Sequence, residues 1–138
     1  MKSNQKGFTL IELLAVIVIL AVIALIATPL IMGTITKAKK NSAVDSAYGY
    51  MKAVEQAIGE AQVDDPNGAF DVAGKTFTVG ATGKTITSGS VTIDVNYKGS
   101  EPKAGGTLTY DANGRVTTGT LEISGYTVKI TDDKAKVD

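Results

Sequence analysis

Every residue from Leu13 to Ala27 is apolar, and this run dominates what the chain can become. It continues through Leu30, Ile31 and Met32, with only Thr28 and Pro29 between, and Phe8, Leu10, Ile11 and Ile35 extend its ends. About 20 residues of helix cross a hydrocarbon core of about 30 Å, so the segment is long enough to span a bilayer. It is too long for the apolar centre of a secretory signal peptide, about 7–15 residues, and no Ala-x-Ala cleavage site follows it. A plain transmembrane anchor accounts for the length but not for Glu12. A carboxylate at a bilayer centre costs about 2.5–3.5 kcal/mol, and less near the interface. Glu12 therefore either reaches headgroup water or has a partner. Lys2 and Lys6 on one side are nearly balanced by Lys37, Lys39 and Lys40 on the other, so charge does not orient the span.

Composition narrows the chemistry. The chain has no Cys and no His, which removes thiol nucleophiles, disulfides, the commonest general base and most zinc sites. With 14 basic and 14 acidic residues there is no positive excess for general nucleic-acid binding. The glycines lack the Lys and Ser/Thr of a phosphate loop. No catalytic constellation and no cofactor site is expected.

Lys6-Gly7-Phe8-Thr9-Leu10-Ile11-Glu12, followed at once by the apolar run, resembles the N-terminus of type IV pilins and their relatives. The resemblance implies that a prepilin peptidase cuts between Gly7 and Phe8 and then methylates the amine of Phe8. It marks residues 1–7 as a leader, Glu12 as an assembly residue and Pro29 as a helix kink. It implies a single-pass precursor in the cytoplasmic membrane, then an extracellular filament of many copies. An assembly ATPase and a membrane platform protein are its implied partners, and adhesion, twitching motility and colonisation its implied outputs. The pseudopilins of type II secretion and competence systems share this N-terminus and form the alternative. A single-pass anchored domain that never polymerises is a second alternative. Two departures stand out: no Gly interrupts Leu13–Ala27, and the disulfide of many pilins is missing. Cysteine-free members are familiar among pilins of Gram-positive bacteria.

The physical logic of the motif is independent of the family. Cleavage after Gly7 removes Lys2 and Lys6, leaving 12 basic residues against 14 acidic ones, and creates an ammonium on Phe8. Among packed apolar helices, Glu12 of one copy needs a cation, and Phe8 of a neighbour supplies one. Such a pair adds little net stability over an apolar contact, but leaving one half unpaired costs several kcal/mol. Its effect is on register.

Beyond the apolar run, Val44, Ala47, Met51, Val54, Ile58 and Ala61 step by three and four, with Tyr48 and Ala57 beside them, which predicts an amphipathic helix. Gly49 and Gly59 each weaken it by about 1 kcal/mol. Asp64-Asp65-Pro66-Asn67-Gly68 ends it. One helix from Phe8 to Ala61 would run roughly 80 Å. Lys37, Lys39 and Lys40 read as a membrane-edge anchor. Residues 70–138 read as β, with a strand from Val91 to Tyr97 and hairpins at Asp111–Gly114 and Ser124-Gly125. Thr76–Val79 and Thr85-Ile86 are expected as short edge strands of a sheet of about four strands. The sheet needs cover, and the amphipathic stripe provides it. The expected class is α+β: residues 8–36 an apolar half-helix, 37–62 an amphipathic half-helix, and 63–138 an antiparallel β head. Asp111, Asn113, Asp132 and Asp133 are weak calcium-type candidates. Their spacing misses the calcium loop, and ordinary turns are the expected reading.

Overall fold

The computed structural model describes residues 6–65 and 71–138. A single helix, α1 (Leu10–Asp64), precedes seven strands: β1 (Thr76–Val79), β2 (Thr85–Ser88), β3 (Val91–Asp94), β4 (Thr107–Tyr110), β5 (Val116–Ile123), β6 (Tyr126–Thr131) and β7 (Lys134–Val137). The chain divides into two compact units, Met1–Ala38 and Lys39–Asp138.

In the first unit, α1 carries large apolar side chains all round, exposed from Leu10 to Met32. A helix apolar on every side needs hydrocarbon or other helices as its solvent. Its few hydroxyls are satisfied internally. Thr28, Thr34 and Thr36 donate to the carbonyls of Ala24, Leu30 and Met32 at 2.6, 3.2 and 3.0 Å, as a nonaqueous setting requires. The helical assignment runs through Pro29 without a break. Pro29 has no N–H to offer the carbonyl of Leu25, so one rung of the ladder is missing there.

In the second unit, the strands form one antiparallel sheet of order β3-β2-β1-β4-β5-β6-β7. Its inner face alternates regularly with its outer one: Phe77, Ile86, Leu108, Leu121, Val128 and Ile130 are buried, and threonines alternate with them. Against this face α1 buries Ala43, Ala47, Tyr50, Met51, Val54, Ala57 and Ile58. Fully burying a large apolar side chain stabilises by about 1.5–3 kcal/mol, and this shared core joins helix to sheet. The expected stripe holds at Ala47, Met51, Val54, Ala57 and Ile58. Val44 and Ala61 lie at its margin, and Tyr50, fully buried, was not in it.

The sheet has seven strands where about four were expected, and β1 and β2 lie inside it. β1 and β2 are short and threonine-rich, and β7 reads Lys-Ala-Lys-Val, so apolar alternation is weak in all three. β7 exists because Asp132 and Asp133 both take positive φ, 49° and 61°. Ser124 and Gly125 do the same at 53° and 82°. Two central residues at positive φ match the right-handed twist of a two-residue hairpin. As the outer strand, β7 would show bare backbone at its edge. Tyr48 of α1 covers part of it by accepting the Ala135 N–H at 2.9 Å. This gives the exposed Tyr48 an edge-blocking role.

β3 stops at Asp94 instead of Tyr97, because the chain then turns to the helix. The Tyr97 hydroxyl donates to the Ser46 carbonyl at 3.1 Å, and its ring meets Tyr50 edge-on at 5.6 Å. Two glycines make the slot. A Cβ on Gly49 would lie 3.2 Å from the Tyr97 ring, and one on Gly99 would collide with it outright. Helix propensity at Gly49 is thus given up for a close approach. Turn residues Pro66–Gly68 lie outside the described residues, but α1 does end at Asp64, just before them.

Candidate functional site at the helix N-terminus

Lys6 to Thr9 carry no regular structure, and α1 starts at Leu10. The Gly7–Phe8 bond is therefore exposed and unshielded by secondary structure; a Cβ at Gly7 would meet no atom within 4 Å, and Phe8 is 92% exposed. A protease needs that access. Residues 1–5 lie outside the described residues.

Glu12 lies in the first turn of α1. Its N–H donates to the Thr9 hydroxyl at 3.3 Å, and its own carboxylate accepts the Thr9 N–H at 3.3 Å. This reciprocal arrangement is a capping box. It satisfies two of the four amide donors that any helix start leaves open. Thr9 is a residue the sequence reading missed, although Thr-x-x-Glu ahead of an apolar run is the signal for it. The bond engages Oε2 of Glu12. The other carboxylate oxygen has further lone pairs to offer a cation.

The four oxygen-bearing candidates of the β head are placed on two turns. Asp111 accepts the N–H groups of Asn113 and Arg115 at 2.8 and 3.0 Å, so its carboxylate holds the β4–β5 turn. Asp133 accepts the Val116 N–H at 3.1 Å, while Asp132 is exposed on the β6–β7 turn. Among the described residues no three acidic side chains converge as a metal site would need.

Two tyrosines of the second unit's core and the exposed Glu55 above it have perturbed acidities. Burial pushes the Tyr50 phenol up to about 12, with the Glu101 carboxylate adding to it. Burial likewise raises Tyr110 beyond its ordinary range, with help from Glu55. Glu55 is raised first by desolvation and then by the Asp133 carboxylate, against the opposing pull of Lys52 and Arg115. None of these groups lines a cleft suited to catalysis.

Comparison with known proteins bears on the N-terminus most directly. Residues 2–28 match the prokaryotic N-terminal methylation motif. The chain is 35% identical over 107 residues to the type IV major fimbrial protein FimA of Dichelobacter nodosus, covering 76% of this chain and 62% of that protein. It is 50% identical over 44 residues to the type II secretion system core protein G of Dickeya chrysanthemi, covering 32% of this chain and 29% of that protein. The chain thus spans less than two thirds of the length of either curated relative. No solved structure matches it. The chain thus carries an N-terminal methylation motif on a pilin-like α+β fold, with distant homology to a type IV fimbrial protein and a type II secretion core protein.

Proposed function

We propose that this protein is the structural subunit of a type IV pilus. The observation that carries the reading is the exposed Gly7–Phe8 bond just ahead of a helix apolar on every side, with Glu12 in that helix's first turn. The precursor sits in the cytoplasmic membrane through that helix. Prepilin peptidase removes residues 1–7 and methylates Phe8. An assembly ATPase and a membrane platform protein then draw the subunit into a helical surface filament serving adhesion, motility or colonisation. In the filament the apolar half-helices exchange lipid for one another. The Phe8 ammonium of one copy meets the free oxygen of Glu12 on the next and fixes register. The missing rung at Pro29 gives the helix local compliance. Nothing is catalysed.

Glu12→Ala tests the pairing. It should leave the protein in the membrane and still cleaved, but without filaments. Glu12→Gln sharpens the test, since Gln keeps the capping box yet has no charge to offer an ammonium. Normal filaments from Glu12→Gln would refute the pairing while leaving the helix start intact.

The 50% identity to core protein G over 44 residues supports a second reading, a pseudopilin of a secretion or competence system. Short fibres confined to the envelope, in place of long filaments sheared from the surface, would favour it.

A further inference from the structure

The sheet face turned away from α1 is largely threonine. One row of directly opposed residues starts at Thr92 on β3, crosses β2, β1 and β4 through threonines alone, and reaches Thr120 on β5. It ends on Lys129 and Lys136. The adjacent row starts at Thr76 and runs through Thr109, Thr118 and Thr131 to Lys134. Lys129 and Lys136 are direct cross-strand partners, an arrangement of like charges that is destabilising by itself.

That repulsion is relieved only in part. Lys129 forms an ion pair with Asp138, whose carboxyl is held below its ordinary range mainly by the Lys129 hydrogen bond. Lys40 of α1 donates to the Asp138 main-chain oxygen at 3.2 Å and helps hold the end of β7 in place. Asp133 is turned away, bonded to the Val116 N–H. Lys129, Thr131, Lys134 and Lys136, with Asp132 and Asp138, line a shallow concavity of about 460 Å³. Three ammonium groups line it against two side-chain carboxylates, in a chain whose overall charge is zero.

We propose that this lysine and threonine face binds a linear acidic polysaccharide, with uronate carboxylates seated on Lys129, Lys134 and Lys136. Asp138 already sets a carboxylate on Lys129, so the site accepts that group in its present geometry. The neighbouring hydroxyls of Thr118, Thr120 and Thr131 each both donate and accept, which suits the hydroxyls of a sugar chain. No aromatic ring stands in either threonine row, and single-stranded nucleic acid would call for one to stack its bases. Binding lies wholly within the second unit and needs no assembly. Its use on a filament, where many copies act together, rests on the pilus reading.

The test uses the full chain in uncharged detergent micelles, titrated with polygalacturonate, with neutral dextran and single-stranded DNA as comparison polymers. Polygalacturonate should bind, weaken with added salt as exposed charges are screened, and outcompete both others. Lys129→Gln/Lys134→Gln/Lys136→Gln should bind about tenfold more weakly, as the loss of three exposed ion pairs implies. Asp138→Asn should bind about threefold more tightly, because it frees Lys129. Thr118→Val/Thr120→Val keeps every charge and should lose about threefold through hydrogen bonds alone. Unchanged binding in the triple variant, weaker binding in Asp138→Asn, or DNA bound as tightly as polygalacturonate would each overturn the proposal. Filament assembly by the triple variant reads the pilus hypothesis separately, and thermal melting verifies its fold.

Discussion

Gly49 and Gly59 lie in the same helix, and the same substitution should have opposite effects at the two. Gly→Ala in a helix interior gains about 1 kcal/mol by propensity alone. At Gly59 an added Cβ meets nothing within 4 Å, so the whole gain should appear. At Gly49 the methyl lies 3.2 Å from both a ring carbon and the hydroxyl of Tyr97. Either the ring is overpacked, at about 1–3 kcal/mol, or it leaves its slot. Leaving gives up the bond to the Ser46 carbonyl, about 0.5–1.5 kcal/mol. It also gives up the edge-on pair with Tyr50, about as much again. Set against the propensity gain, the net should be about 1 kcal/mol of destabilisation. The apolar half of α1 will not melt in detergent, so the readout is near-ultraviolet circular dichroism, which follows tyrosine packing in the second unit. For a unit of this size each kcal/mol shifts the midpoint by about 4–8 °C. Gly59→Ala should raise it by about that much, and Gly49→Ala should lower it. In a Tyr97→Ala background the clash is gone, and Gly49→Ala should turn stabilising. A Gly49→Ala variant as stable as Gly59→Ala, with Tyr97 present, would refute the slot.

Other perturbations concern the second unit. Glu55 has a raised carboxyl, so the stability it leaves is fullest at low pH and is lost as pH rises through its raised value. Glu55→Gln should remove that slope and raise the melting midpoint at pH 7. Tyr50 is raised to about 12, so stability should hold below the ordinary tyrosine value of about 10 and fall as pH climbs towards 12. Tyr50→Phe should flatten part of that alkaline limb in a spectroscopic titration of the folded chain. Leu121 is fully buried in the sheet, and Leu121→Ala should cost about 2–5 kcal/mol in denaturant unfolding. Tyr48→Phe should cost about 0.5–1.5 kcal/mol by freeing the Ala135 N–H, and should speed its hydrogen exchange.

Much of this was legible because the strongest patterns are local. An unbroken apolar run and a stripe at helical spacing specify α1 without any knowledge of the sheet. The Asp111–Gly114 and Ser124-Gly125 hairpins were legible for the same reason, since turn chemistry is set by a few residues. The strand count was not. β7 reads Lys-Ala-Lys-Val and gives no strand signal, while β1 and β2 were legible as short strands but not as interior ones. Their order in the sheet depends on pairings far apart in sequence, such as Phe77 with Leu108. Tyr97 was assigned to a strand because its alternation fits one, and only the slot between Gly49 and Gly99 explains its departure. At the N-terminus the reading reached Gly7, Phe8 and Glu12 through the family resemblance. It passed over Thr9, whose cap is visible from spacing alone.

The central claim is that the chain is cut after Gly7 and polymerised outside the cell. Intact mass spectrometry of protein sheared from the surface of producing cells tests it most directly. The account expects an abundant chain beginning at Phe8 and carrying one additional methyl group. A surface fraction lacking the protein, with cell-associated chain still beginning at Met1, would contradict it and leave only a membrane-anchored domain.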